Sequence, residues 1–155
     1  MIATIMILGA SGDLTSRFLI PAIMRLYEAG ELPEGFRVVG LARDEWDSAK
    51  FRRHLESKIP PSGKSGSPAV AARDAVLAGT EYHPVDVTDR NQLAEALGKE
   101  TQPVVVYLAL PPSLFKPTIG TLATFRLPKG SKLVVEKPFG TDLASACDLN
   151  RLLHE

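Results

Sequence analysis

Twelve glycines are spread through the 155 residues, and two of them are spaced for chemistry. Gly9 and Gly12 sit in Gly9-Ala10-Ser11-Gly12-Asp13-Leu14-Thr15, after an aliphatic run and before an apolar helical pattern. A G-x-x-G-x-x-small spacing between a strand and a helix is where a dinucleotide fingerprint belongs. Gly9 lets the chain turn sharply off the strand, and Gly12 lets backbone N–H groups come close to a pyrophosphate. The helix start adds unpaired N–H donors and the positive end of its dipole. Ser11 brings a hydroxyl donor. Asp13 carries the wrong charge for a phosphate contact and suits an N-terminal helix position. In isolation, a tight turn that merely needs glycine would look the same. Here strand, helix and position agree on dinucleotide binding.

The identity of the cofactor turns on the end of the second strand, Gly40-Leu41-Ala42-Arg43-Asp44. In NAD sites an acid there bonds the ribose 2′-hydroxyl, whereas Arg43 is a bidentate, charge-assisted partner for a 2′-phosphate. Arg43 favours NADP. Asp44 facing the ribose, or Arg43 paired with Asp44 or Glu45, leaves NAD open. The third strand runs into His83-Pro84-Val85-Asp86-Val87-Thr88-Asp89. Asp86 is placed either to accept from an adenine amino group or to cap a helix, the role expected of Asp89. His83 beside Pro84 reads as a surface residue rather than a base.

These loops need a scaffold that brings them to one edge. Five short β-branched runs, 2–8, 37–41, 81–85, 104–110 and 132–135, are continuous rather than alternating, as parallel strands covered on both faces are. Helical patterns separate them. Leu14, Phe18, Ile20, Ala22, Ile23, Leu26 and Tyr27 form an apolar stripe that Gly30 should end. Asp47 or Ser48 should cap a second helix running to about Ser57, and residues 69–77 and 91–97 read as a third and fourth. Residues 117–125 are a weaker helix because Thr118, Thr121 and Thr124 are poor formers. Residues 142–153 form a last one with Leu143, Ala146, Leu149 and Leu152 or Leu153 on one face, and residues 60–68 are a polar surface loop. Alternating strands and helices predict an α/β, Rossmann-like, doubly wound parallel sheet in three layers, with right-handed crossovers and one domain over residues 1–155.

Composition sets the outer limits. Eighteen lysines and arginines balance 18 acids, and this neutrality argues against a nucleic-acid platform, which needs a basic face. A local anion site is still allowed. The one cysteine, Cys147, excludes a disulfide framework or a cysteine metal cage and fits a reducing compartment. No metal is expected. No apolar run reaches the roughly 18 residues a bilayer needs, and no basic, cleavable leader precedes the first strand. A cytoplasmic domain with no membrane partner is expected.

Five separated segments resemble one family. Gly9-Ala10-Ser11-Gly12-Asp13-Leu14 with Pro21-Ala22, then Gly40-Leu41-Ala42-Arg43, Asp86-Val87-Thr88-Asp89, Tyr107-Leu108-Ala109-Leu110-Pro111-Pro112-Ser113 and Val135-Glu136-Lys137-Pro138-Phe139-Gly140 are the segments in chain order. In that order they are similar to the N-terminal coenzyme domain of glucose-6-phosphate dehydrogenases. The resemblance spans nearly the whole chain, and its last two segments are the most specific. It implies oxidation of glucose 6-phosphate at C1 to the lactone, with NADP as cofactor and the sugar phosphate as substrate. It also implies that Gly9, Ala10, Ser11, Gly12, Asp13 and Leu14 hold the pyrophosphate and Arg43 the 2′-phosphate, with Asp86 and Ala109 along the cofactor. Lys137, with Pro138 stiffening its turn, becomes the catalytic residue that positions substrate and coenzyme. A strand-end lysine beside the crevice can orient a hydroxyl or neutralise a phosphate.

Two departures from that family stand out. Its basic cluster after Gly-Asp-Leu is Thr15-Ser16-Arg17-Phe18 here. Phe18 takes the place of a lysine that helps hold substrate and coenzyme, and it fits the core stripe of its helix. The family's catalytic histidine, in an Arg-Ile-Asp-His-Tyr-type motif, has no counterpart, since His154 has different flanks. The expectation is a divergent cofactor-binding half that binds NADP without turning over alone. Uncovered apolar patches near residues 111–115 and on the last helix would favour a homo-oligomer. A short-chain dehydrogenase would need a Tyr four residues before a Lys, which Tyr27, Tyr82 and Tyr107 lack. Other Glu-Lys-Pro sugar oxidoreductases usually carry a more Gly-rich first loop. A stand-alone NAD(P)-binding sensor is the non-enzymatic alternative.

Overall fold

The computed structural model describes residues 2–61, 63–137, 147 and 151. Strands β1 (Thr4–Leu8), β2 (Arg37–Ala42), β3 (Thr80–Pro84), β4 (Val104–Leu108) and β5 (Lys132–Val135) form one sheet. Their order is β3-β2-β1-β4-β5 and every pairing is parallel. Helices α1 (Ile20–Glu28), α2 (Ser48–Lys58), α3 (Pro68–Ala78), α4 (Arg90–Leu97) and α5 (Phe115–Leu122) alternate with them.

Successive strand residues point to opposite faces, and the two faces fill two cores. Met6, Leu8, Val39, Leu41, Val106 and Leu108 pack with Leu93, Leu97, Phe115 and Ile119 of α4 and α5. Ile7, Val38 and Tyr82 pack with Ile20, Ile23, Phe51, Leu55 and Val76 of α1, α2 and α3. The central strands β1, β2 and β4 are covered by helices on both sides, which is why their runs are almost wholly apolar. The edge strands β3 and β5 keep partly exposed residues such as Glu81, His83 and Val134. This is the three-layer α/β sheet the element order predicts.

Local chemistry sets the helix ends. The Asp47 carboxylate accepts from the Lys50 N–H at 2.6 Å. Asp89 accepts from the N–H groups of Asn91 and Gln92, and Ser67 caps α3 with Pro68 in its first turn. Gly30, at φ +71°, follows α1 as its stop. The strand predicted over 104–110 ends at Leu108, although Ala109 N–H still donates to Leu8 O at 2.9 Å. Helix α5 starts earlier than residues 117–125 because Phe115, Ile119 and Leu122 are buried; packing of that face outweighs the weak propensity of its threonines.

One expectation is corrected. Phe18 is not in the core: it is 63% exposed, and Leu26 and Tyr27 are exposed as well. Residues Thr15–Leu19 form a π-helical turn in which Ile20 N–H reaches back five residues to Thr15 O. The buried line runs through Thr15, Ser16, Ile20, Ile23 and Met24. Near the glycine loop only small side chains occupy the buried positions, and Phe18, two residues before Ile20, stands on the opposite side of the helix, facing solvent. Phe18 lies close in angle to Arg25 and far from Ile20, so joining every apolar residue into one stripe put it on the wrong face.

Pro138, His154 and most of the helix expected at 142–153 lie outside the described residues. Among the described residues no helix is long and apolar enough to cross a membrane, and no cluster of His, Cys, Asp and Glu could hold a metal.

Candidate functional site

The chain builds outward from β1 through β2 to β3, then returns to the other side of β1 with β4 and β5. At such a reversal the loops after the strands diverge and leave a crevice at their C-terminal ends. A cavity of about 310 Å³ lies there. One wall is Gly9, Ser11 and Gly12, a second is Ala42, Arg43 and Asp44, and a third runs from Val85 to Thr88. Ala109, Leu110, Pro111 and Leu114 close the β4 side.

Gly9 is bound to its place by both neighbouring strands. Its φ is +88° and a Cβ there would lie 2.3 Å from Ala109 O. The N–H groups of Gly9 and Ala10 both donate to Leu41 O, at 2.7 and 3.2 Å. Gly12 N–H closes the turn onto Gly9 O at 3.1 Å. No side chain caps the helix that follows, so its first-turn N–H groups are left for a ligand or for water.

The structure brings Gly9, Ser11, Gly12, Arg43, Asp86 and Ala109 to one cavity. Ala10, Asp13 and Leu14 do not line it. Ala10 is buried and packs toward Gly40, where a Cβ would come within 2.9 Å of the Ala10 methyl. The Asp13 carboxylate turns to Arg17 in an exposed pair at 3.6 Å. Lys137 is exposed two residues beyond β5, outside the lining of this cavity. The residue before it is anchored, because the Tyr107 hydroxyl donates to Glu136 Oε1. Burial and that carboxylate push the Tyr107 phenol up to about 12.

Asp86 and Arg43 give the cavity opposite charges on adjacent walls. The Asp86 carboxylate accepts from the Thr88 hydroxyl at 2.7 Å and from the Thr88 N–H at 2.9 Å. These bonds, followed by the Arg43 charge, hold its pKa below the usual carboxylate range. It stays an acceptor at neutral pH. Asp89, not Asp86, caps α4. Of the histidines, His83 lines a separate groove with Gln92 and Lys99, and His54 packs tilted against Trp46 with centroids 4.9 Å apart.

Sequence reasoning missed Thr88 and the β4-side residues Leu110, Pro111 and Leu114. The Asp-x-Thr spacing could have revealed the first, as an Asx turn. Pro111 follows the apolar end of β4, where a turn off the sheet was legible.

Comparison with known proteins gives the same fold and adds a lineage. A family profile described as glucose-6-phosphate dehydrogenase, NAD binding domain, matches residues 6–155. A glucose-6-phosphate 1-dehydrogenase of Bacillus subtilis is 36% identical over 170 residues, covering 99% of this chain and 32% of that protein. One from Zymomonas mobilis is 33% identical, over 96% of this chain and 32% of its own length. The crystal structure of glucose-6-phosphate 1-dehydrogenase from Mycobacterium avium superposes with a TM-score of 0.83 at 32% identity, over 99% of this chain and 34% of that one. A glucose-6-phosphate dehydrogenase in complex with its substrate glucose-6-phosphate superposes at 0.80 and 29% identity, over 97% of this chain and 33% of that one. The chain thus spans about a third of the length of these relatives. With the profile matched from β1 to Glu155 and the fold shared throughout, this chain belongs to the glucose-6-phosphate dehydrogenase NAD binding domain family.

Proposed function

We propose that this chain is the coenzyme-binding part of an oxidoreductase that takes hydride from C1 of glucose 6-phosphate, with NADP as its dinucleotide. The single observation that carries the reading is Arg43 on the wall of the cavity that Gly9 and Gly12 open. A dinucleotide fits what these residues offer. The Gly9 turn has no room for a side chain, the helix start is uncapped, and Arg43 supplies a cation on the β2 side. NADP, when bound, supplies the hydride acceptor.

The chain's own residues bind and orient. Helix N–H groups and the Ser11 hydroxyl hold the pyrophosphate, Arg43 takes the 2′-phosphate, and ionised Asp86 accepts from the adenine amino group. Lys137 lies on the far side of β1 from Arg43, after β5. A dinucleotide stretched across the strand ends would run toward it, and there it would orient the sugar phosphate together with Pro138. As the sugar hydroxyl becomes a carbonyl, its proton must go to a base. No histidine lines the cavity among the described residues.

Titration of the chain with NADP and NAD tests the cofactor. Arg43→Ala is expected to weaken NADP binding by about 1.5–3 kcal/mol, roughly ten- to a hundred-fold, with NAD little changed. An unchanged NADP affinity would remove Arg43 from the site. Incubated with glucose 6-phosphate and NADP, the chain by itself should produce no NADPH absorbance; Lys137-dependent turnover would refute this.

A further inference from the structure

Arg43 is exposed at the end of a strand, and a long side chain on a free loop would bind a phosphate weakly because it must first be ordered. The loop is not free. The Tyr82 hydroxyl, from β3, lies 3.1 Å from Ala42 O and 2.9 Å from Asp44 O. One phenolic proton is thus shared between the carbonyls on either side of Arg43. Each carbonyl has a second partner: Val85 N–H on Ala42 O and Trp46 N–H on Asp44 O, both at 2.8 Å.

The ring of Tyr82 is only 2% exposed. Its centroid lies 4.9 Å from Phe51 and 5.9 Å from Trp46. Phe51 in turn fills the space that a Cβ on Gly40 would occupy. The hydroxyl is therefore aimed by packing and does not swing with the loop. Among the described residues the hydroxyl bonds only these two carbonyls, and Phe would fill the same apolar space.

We propose that Tyr82 is the positioning residue for coenzyme selection: its hydroxyl holds the arc of residues 42–44 so that Arg43 meets the 2′-phosphate of NADP. The inference rests on the reading of Arg43 as the 2′-phosphate ligand. Tyr82 itself touches no cofactor. Its removal acts through the order of Arg43, so it lowers affinity for the dinucleotide that carries the 2′-phosphate and spares the one that lacks it.

The test is calorimetric titration of the chain with NADP and with NAD, for the parent, Tyr82→Phe, Arg43→Ala and the double variant. Tyr82→Phe is expected to weaken NADP roughly five- to tenfold while NAD stays within about twofold. In the Arg43→Ala background the Tyr82→Phe change should have no further effect on NADP, because the two act as a unit. Incorporating 4-aminophenylalanine at position 82, which restores a donor, should recover the selectivity. The fluorescence of Trp46, the one tryptophan, reports whether the aromatic cluster keeps its packing in each variant. If Tyr82→Phe does not fold, a 4-aminophenylalanine protein without NADP selectivity overturns the proposal. So does an equal loss for both dinucleotides, or no loss for NADP while Arg43→Ala still weakens it. If Arg43→Ala is itself silent, the reading of Arg43 fails first and this proposal falls with it.

Discussion

Gly9 is held by two separate constraints, and either one would exclude another residue. Its φ of +88° is one that L side chains rarely adopt, and its missing Cβ leaves room for Ala109 O. Gly9→Ala therefore has no relaxed solution, since turning to negative φ would break the bonds to Leu41 O. The variant should lose about 2–3 kcal/mol of stability, read by urea denaturation, together with dinucleotide affinity. Gly12 is less restricted, because a Cβ there would stand 3.3 Å from Gly9 O. Arg43 and Asp86 differ in kind from both: Arg43 is exposed and Asp86 only half-buried, and neither packs in the core, so their types can answer to the ligand.

At the scale of elements, the strand ends are tied together by tyrosines. Tyr82 joins β3 to the turn after β2, and Tyr107 joins β4 to the turn after β5. Burial, with Asp44 and Glu45 nearby, pushes the Tyr82 phenol up to about 12, and Tyr107 reaches about the same value. In the unfolded chain each would ionise near 10. Between those limits the folded protein keeps protons that the unfolded chain has lost, so stability falls as pH rises. The contribution of these tyrosines is whole below pH 10 and gone once pH passes about 12. Melting temperatures measured from pH 8 upward should drop steeply above 10, and Tyr107→Phe should flatten that slope. An unchanged slope would mean that the phenol ionises in the fold as it does in solution.

Across the whole molecule, the end of the sheet opposite the cavity carries its own polar cluster. Arg37 opens β2 at the end away from the cavity. Its guanidinium bonds both Glu100 oxygens, at 2.8 and 2.9 Å, and approaches Glu81 and Thr4 at 3.5 and 3.3 Å. It thus links β1, β2, β3 and the connection into β4. The Glu100 side chain is only 11% exposed, so removing its partner strands a nearly buried carboxylate. Arg37→Met should cost about 2 kcal/mol, less than a fully buried pair because Arg37 is partly hydrated. Denaturation of this variant should show the loss, while its affinity for NADP stays that of the parent.

The amino-acid sequence by itself determined the elements and the motif that joins the first two. Those properties are local: turns need glycine, caps need Asp or Ser, and strands buried on both faces need unbroken apolar runs. It also determined the residue types in the cavity, because Gly9, Ser11, Gly12, Arg43 and Asp86 each stand just past a strand end. The tertiary structure decided what depends on partners far along the chain. The packing of Ile20, Ile23 and Met24 left Phe18 outside the core, where counting apolar residues had placed it inside. The pairing of β2 with β3 set Tyr82 under residues 42–44, nearly forty positions away. Packing at Gly40 put the Ala10 methyl in the core. Periodicity reports which residues share a face of one element. Which face is buried, and what lies beneath a loop, is settled only when the elements pack against each other.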